Sequence, residues 1–114
     1  MAKGSIYIVI CTVNKRVYIG KTSRAASSRF SSHKTQLRHN KHHSPLLQQD
    51  WNLYGEKAFT FSVIDEATYS TELAQMERDY ILQYDSFKNG YNCTLPPHNP
   101  HLSSYRQLKP KLNF

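Results

Sequence analysis

Residues 5–21, SIYIVICTVNKRVYIGK, decide the fold. Ile6, Ile8 and Ile10 alternate with Tyr7, Val9 and Cys11, the period of two that a β-strand imposes on its side chains. Both members of the alternation are apolar, so a strand over 5–12 is expected to be buried on both faces. Val13-Asn14-Lys15-Arg16 reads as a polar turn, and Val17, Tyr18 and Ile19 return as a second strand that Gly20 ends. The hairpin carries one tyrosine on each strand. Whether Tyr7 and Tyr18 share a face depends on the register, because a slip of one residue turns every side chain over.

Working outward, a helix is expected from Arg24 to His39 with Ser23 as its N-cap. Phe30, His33 and Leu37 fall on the face that docks on the sheet. Arg29, four residues before His33, shares a side with it, an arrangement suited to holding a phosphate between the two. The plain alternatives are a solvated Arg29 and a core-edge His33. Asn40-Lys41-His42-His43 is a basic loop. No Cys, Asp or Glu stands near the two histidines at a spacing typical of zinc sites, so a closed zinc site is not expected. Ser44-Pro45 has the form of an N-cap and first helical position, and Gly55 stops the helix after Tyr54. Leu47, Trp51 and Tyr54 are its expected core positions.

A third strand is expected over 59–65, with Phe59, Phe61 and Val63 on one face and no chemistry of its own. Thr71 is the expected cap of a third helix, whose buried stripe is Leu73, Met76, Tyr80, Ile81 and Tyr84. Glu77 falls within that stripe. A carboxylate on an apolar face costs several kcal/mol unless it is paired, hydrogen-bonded or bound to a cation. Asn89-Gly90 marks a turn, and Asn92 is suited to fixing its own loop. Past Leu95 four prolines and the loss of periodicity suggest an extended linker or basic arm. The expected division is a domain over 1–94 and a tail over 95–114.

The chain carries 15 Lys or Arg against 8 Asp or Glu, a net charge of +7, and the charge is segregated. All nine Lys and Arg up to Ser44 precede the first acidic residue, Asp50. That pattern points to a polyanion partner, most simply nucleic acid. Lys21, Arg24, Lys34, Arg38, Lys41 and His42 are the expected DNA contacts. No apolar run approaches the roughly 18 residues of a membrane span, so no membrane partner is expected. Two cysteines, Cys11 and Cys93, make no disulfide framework and suit a cytoplasmic setting.

Ile6-Tyr7, ten residues, then Tyr18-Ile19-Gly20 resembles the signature of the GIY-YIG nuclease family, except that Ser5 stands where the family has its first glycine and Gly4 comes one residue earlier. The likeness extends from Gly4 to about Thr94 and is closest to the catalytic domain of phage intron-encoded homing endonucleases. Arg29, His33, Glu77 and Asn92 match the family's accompanying arginine, histidine, glutamate and asparagine in order, and His43, with His42 as the alternative, matches a further histidine. The resemblance implies an α+β fold: a small, mainly antiparallel three-stranded sheet flanked by about three helices. It implies hydrolysis of a phosphodiester in double-stranded DNA, with Glu77 holding one Mg²⁺ or Mn²⁺. Arg29 would bind phosphoryl oxygens, and Tyr7 would activate water with Tyr18 orienting it, or the reverse. His33 and His43 would be donors or proton carriers, and Asn92 a support. Homing enzymes of this kind take specificity from a separate C-terminal DNA-binding region, so such a domain beyond the tail is an expected partner of a monomeric catalytic unit. The setting implied is a bacterial or phage-infected cell. The rival readings are a restriction or repair nuclease of the same superfamily, a silent nucleic-acid-binding module, and a structural module that would leave the charge segregation unexplained.

Overall fold

The structure, a computed structural model, describes residues 3–101 and 107–114. The hairpin forms with β1 at Gly4–Cys11 and β2 at Val17–Thr22. Its turn closes through Cys11 N–H donating to the Arg16 carbonyl (3.0 Å) and Lys15 N–H to the Cys11 carbonyl (2.8 Å). The strand β3, Phe59–Ala67, pairs with the other edge of β1, giving a fully antiparallel sheet in the order β2-β1-β3. Three helices complete the α+β fold: α1 at Ala26–Arg38, α2 at Pro45–Tyr54 and α3 at Leu73–Tyr84.

The central strand is buried on both faces, as its double apolar alternation requires. Ile6, Ile8 and Ile10 join Val17 and Ile19 under Leu73, Met76, Tyr80, Ile81 and Tyr84 of α3. On the opposite face Tyr7, Val9, Cys11 and Tyr18 pack with Leu37 of α1 and with Leu47 and Trp51 of α2. The stripe expected for α3 is buried in full. The α2 boundaries are as expected: the Ser44 side chain accepts from Leu47 N–H, Pro45 opens the helix, and Gly55 leaves it at a φ of 86°, which favours glycine.

Several local expectations give way to tertiary structure. Ser23 does not cap α1; Ala25 holds that position without a side-chain bond, and the Thr22 hydroxyl accepts from Arg24 N–H instead (3.1 Å). A 3₁₀ turn at Ser70–Glu72 precedes α3, so Thr71 is no cap, and the Glu72 carboxylate accepts from Tyr69 N–H (3.1 Å). Tyr54 is exposed at the last turn of α2. Phe59, Phe61 and Val63 share the Tyr7 face as expected, although Val63 is exposed, and just past Val63 the pairing between β1 and β3 slips at Ile6/Tyr7. Tyr7 opposes Val63 but Ile6 opposes Asp65, so Ile64 is the extra residue of a bulge and the alternation of β3 changes phase there. The change turns Asp65 under α3, where it accepts a hydrogen bond from the Tyr80 hydroxyl (2.7 Å).

The described residues beyond Leu95 stay on the domain. Leu95 and Leu108 pack against the α3 core, and Arg78 donates to the Pro96 carbonyl (2.6 Å). Lys109 and Leu112 N–H groups donate to the hydroxyls of Tyr80 (2.9 Å) and Tyr84 (2.8 Å). Part of the expected tail, 102–106, lies outside the described residues.

Candidate active site

Register brings the two tyrosines together. Tyr7 pairs with Gly20 and Tyr18 with Val9, so both phenols project from the α1/α2 face, their ring centroids 6.3 Å apart. Gly20 has a steric reason to be glycine: a Cβ there would lie 2.3 Å from the Tyr7 ring and hydroxyl. Ser5 is half-exposed, which accommodates the side chain that departs from the family pattern. The outer edge of β2 is held by the segment after α3. Tyr91 N–H donates to the Val17 carbonyl (2.9 Å), and the Asn92 amide pairs with both backbone groups of Ile19, at 2.9 and 2.8 Å. Ser86 donates to Asn92 Oδ1 (2.6 Å), fixing the amide's orientation. Asn92 thus stands in for a neighbouring strand between Tyr18 and Gly20.

From α1, fully buried His33 reaches Tyr7, its Nε2 2.5 Å from the phenol oxygen. Its Nδ1 lies 2.7 Å from Nε2 of His42. His43 stacks on His42 with centroids 4.4 Å apart and lies 3.3 Å from the Tyr18 hydroxyl. So the loop doublet divides: His43 is exposed beside Tyr18, and His42 is buried behind His33. His42, expected as a DNA contact, therefore sits inside the domain.

Arg29 is half-buried one turn before His33. It opposes the effect of burial on Tyr7 through its charge and a hydrogen bond. Burial raises the Tyr7 hydroxyl above its usual range. Burial first, and then the Tyr7 charge, raise Tyr18 as well. Glu77 projects from the α3 edge near this group and adds to the upward shift of both phenols. Burial also raises the Glu77 carboxyl, countered by the charge and backbone of Lys21 and by Arg29. Neither Glu77 nor Arg29 is in an ion pair among the described residues. A cleft of about 690 Å³ opens beside them, lined by Lys21, Arg24, Arg29, four serines, Thr22, Thr71, Leu73 and Ala74, with no acidic residue in its wall. Leu73 and Ala74 are four and three residues before Glu77, on the same side of α3.

The other expected DNA contacts lie elsewhere. Arg38 makes a two-pronged pair with Glu56 (2.9 and 2.7 Å), and Lys34 sits 5.0 Å above the Phe61 ring. Lys41 is exposed in the loop before His42. The sequence reading missed the place of His42 behind His33 and the contact of Gly20 with Tyr7; the only outward sign of the first was a histidine doublet before a helix cap.

A metal fits this site in one way. Among the described residues no three His, Cys, Asp or Glu side chains gather to form a closed cage. Mg²⁺ commonly takes one or two carboxylates and keeps several waters. Glu77, whose charge burial disfavours and which no ion pair satisfies, has that character, and the adjoining cleft has room for water and phosphate.

The comparisons with known proteins agree with this fold. A search of curated proteins gives no significant match. Among solved structures, the chain is similar to the catalytic domain of homing endonuclease I-TevI, with 28% identity over 81% of this chain and 99% of that one and a TM-score of 0.74. A Glu-to-Ala mutant of the catalytic domain of intron endonuclease I-TevI gives 26% identity, 85% and 99% coverage, and a TM-score of 0.75. The family model for the GIY-YIG catalytic domain matches residues 3–92, and the chain belongs to the GIY-YIG nuclease family.

Proposed function

We propose that this chain is a divalent-metal-dependent DNA endonuclease of the homing type, and that its catalytic unit ends near Thr94. The observation that carries the reading is the convergence of Tyr7, Tyr18, Arg29 and Glu77 beside a cleft lined by basic and hydroxyl side chains. Lys21, Arg24 and Arg29 supply charge for a phosphodiester backbone, and the serines supply donors. Glu77 would hold one Mg²⁺ or Mn²⁺, which when bound stabilises charge on the phosphate and the leaving 3′ oxygen. The Arg29 fork is suited to two phosphoryl oxygens at once, a task in which Lys is a weaker substitute.

Tyr7 is the better choice of base for the attacking water. Arg29 opposes the rise of the Tyr7 hydroxyl through both charge and a hydrogen bond, and Tyr18 is raised further by the charge of Tyr7 itself. In this assignment Tyr7 gives up its proton, and Tyr18 keeps its own to orient water or phosphate. His43, exposed beside Tyr18, is placed to donate to a phosphate oxygen. Asn92 acts through the backbone of Ile19, holding Tyr18 and Gly20 in register. Double-stranded DNA is the proposed substrate, and a DNA-binding region beyond the tail the proposed source of specificity. By itself a monomeric domain that contacts phosphates would bind weakly and with strong salt dependence.

The test is nicking of supercoiled plasmid with Mg²⁺ or EDTA, beside Glu77→Ala. Nicking that requires Mg²⁺ and falls on the order of 10³-fold in the variant is expected. Nicking that survives EDTA or Glu77→Ala would overturn the metal assignment. An intact plasmid, with DNA still shifted in a gel at low salt, would favour a binding module.

A further inference from the structure

The hydrogen bonds behind Tyr7 have a direction, and one backbone group sets it. Ser44 N–H, which as an amide can only donate, points at His42 Nδ1 from 3.0 Å. A neutral imidazole carries one N–H, so His42 must be protonated on Nε2. That N–H donates across 2.7 Å to His33 Nδ1, which leaves the His33 proton on Nε2, 2.5 Å from the Tyr7 oxygen. Ser44 N–H, His42 and His33 thus form one chain of donors that ends on the phenol oxygen.

We propose that His42 is a positioning residue of this nuclease, which fixes His33 in the Nε2–H tautomer so that His33 donates to Tyr7 rather than accepting its proton. The proposal deepens the nuclease reading above and rests on Tyr7 having a reactive role. The consequence is chemical. His33 cannot take the Tyr7 proton, so that proton passes to water on the side of the phenol away from the imidazoles, and the remaining oxygen anion keeps a donor.

The surroundings hold His42 in this role. The His42 backbone N–H donates to Gln48 Oε1 (3.1 Å), and Gln48 Nε2 donates to the Leu37 carbonyl (2.9 Å). Ser44 leaves its N–H for His42 while its hydroxyl donates to the Tyr91 carbonyl (2.7 Å) and accepts from Leu47 N–H. His33 and His42 are both buried, and burial is the first cause that lowers their pKa values, to about 3 and about 4, with Arg29 and the neighbouring imidazoles acting in the same direction. Both rings are then neutral at neutral pH, as the donor chain requires.

Long-range ¹⁵N–¹H correlation spectra of the whole chain at neutral pH read the tautomers directly. Both His33 and His42 are expected to show protonated Nε2 and bare Nδ1; a His33 protonated on Nδ1, or on both nitrogens, would overturn the proposal. In His42→Phe, which keeps a ring but loses the donor, His33 should leave the Nε2–H form and plasmid nicking should slow about 10- to 100-fold with little change in KM. His42→Gln, which keeps an N–H donor, should recover part of both. An unchanged His33 tautomer in His42→Phe would sink the relay while leaving the nuclease reading intact. If the unaltered chain fails to nick plasmid, the nuclease reading and the catalytic role of His42 fall together, although the spectra still report the tautomers.

Discussion

From one strand, β1, Ile6, Ile8 and Ile10 face α3 while Tyr7, Val9 and Cys11 face α1 and α2. Under α3 the packing is mostly aliphatic, with Met76 and two tyrosines whose hydroxyls accept from the returning chain at Lys109 and Leu112. Under α1 and α2 the same sheet carries Tyr7 and Tyr18 against His33, His42 and His43. The first face gains stability from apolar area removed from water. The second binds polar groups together inside the domain, which is worthwhile only if each is satisfied. Alternation along a strand lets the two tasks be separated by a single residue step.

The sharpest way to break the division is to change each face in turn. Tyr7→Phe should slow nicking by about 10²–10⁴-fold, the range for a lost general base, while thermal melting moves little. Comparable nicking by this variant would shift the base assignment to Tyr18. Gly20→Ala should damage both properties, because its methyl group would occupy the place of the Tyr7 phenol. A stability loss of about 1–3 kcal/mol is expected for such crowding, with nicking reduced as the phenol is displaced; denaturant unfolding and plasmid assays measure the two. Ile8→Ala, on the α3 face, should reverse the pattern. It should cost about 2–5 kcal/mol, a large share of a typical 5–15 kcal/mol, yet leave nicking per folded molecule unchanged at a temperature where the variant is folded.

Acid should find the histidine face first. His33 and His42 have folded-state pKa values lowered from 6.5 to about 3 and about 4. Below about pH 6.5 the unfolded chain takes up protons that the folded chain refuses, so stability falls as pH drops from there toward 4. Melting temperatures across that window should decline, and a flat profile would contradict the burial of neutral imidazoles. The smallest effect is expected from Ser5→Gly, which restores the family's glycine at a half-exposed strand position. It should cost about 0.5–1 kcal/mol or less, since glycine weakens strand interiors, and leave nicking unaltered; a marked gain in rate would show that Ser5 crowds the site.

Much of this division was legible in the residues. Period-two apolar alternation marked β1 as buried on both faces, and the i, i+3, i+7 spacing in α3 named its buried stripe. Glu77 stood out as a carboxylate within that stripe, an anomaly visible without coordinates. The caps of α1 and α3 were less legible, because Ser23 and Thr71 have the right chemistry one or two residues from where packing ends each helix. The change of phase in β3 was not legible: a bulge leaves no reliable mark in FTFSVIDEA, and it decides that Asp65 is buried under α3.

By itself, then, the sequence determined the hairpin, the number and faces of the helices, the segregation of charge, and the motif by which the family resemblance is carried. These are written in spacings between near neighbours, where backbone geometry alone fixes which side chains share a face. Tertiary structure decided the register that puts Tyr7 over Gly20, the pairing of Asn92 with Ile19 from 73 residues away, and the placement of His42 behind His33. Those depend on which groups meet across the fold, and a hydrogen bond acquires its direction only when both partners and their other neighbours are in place.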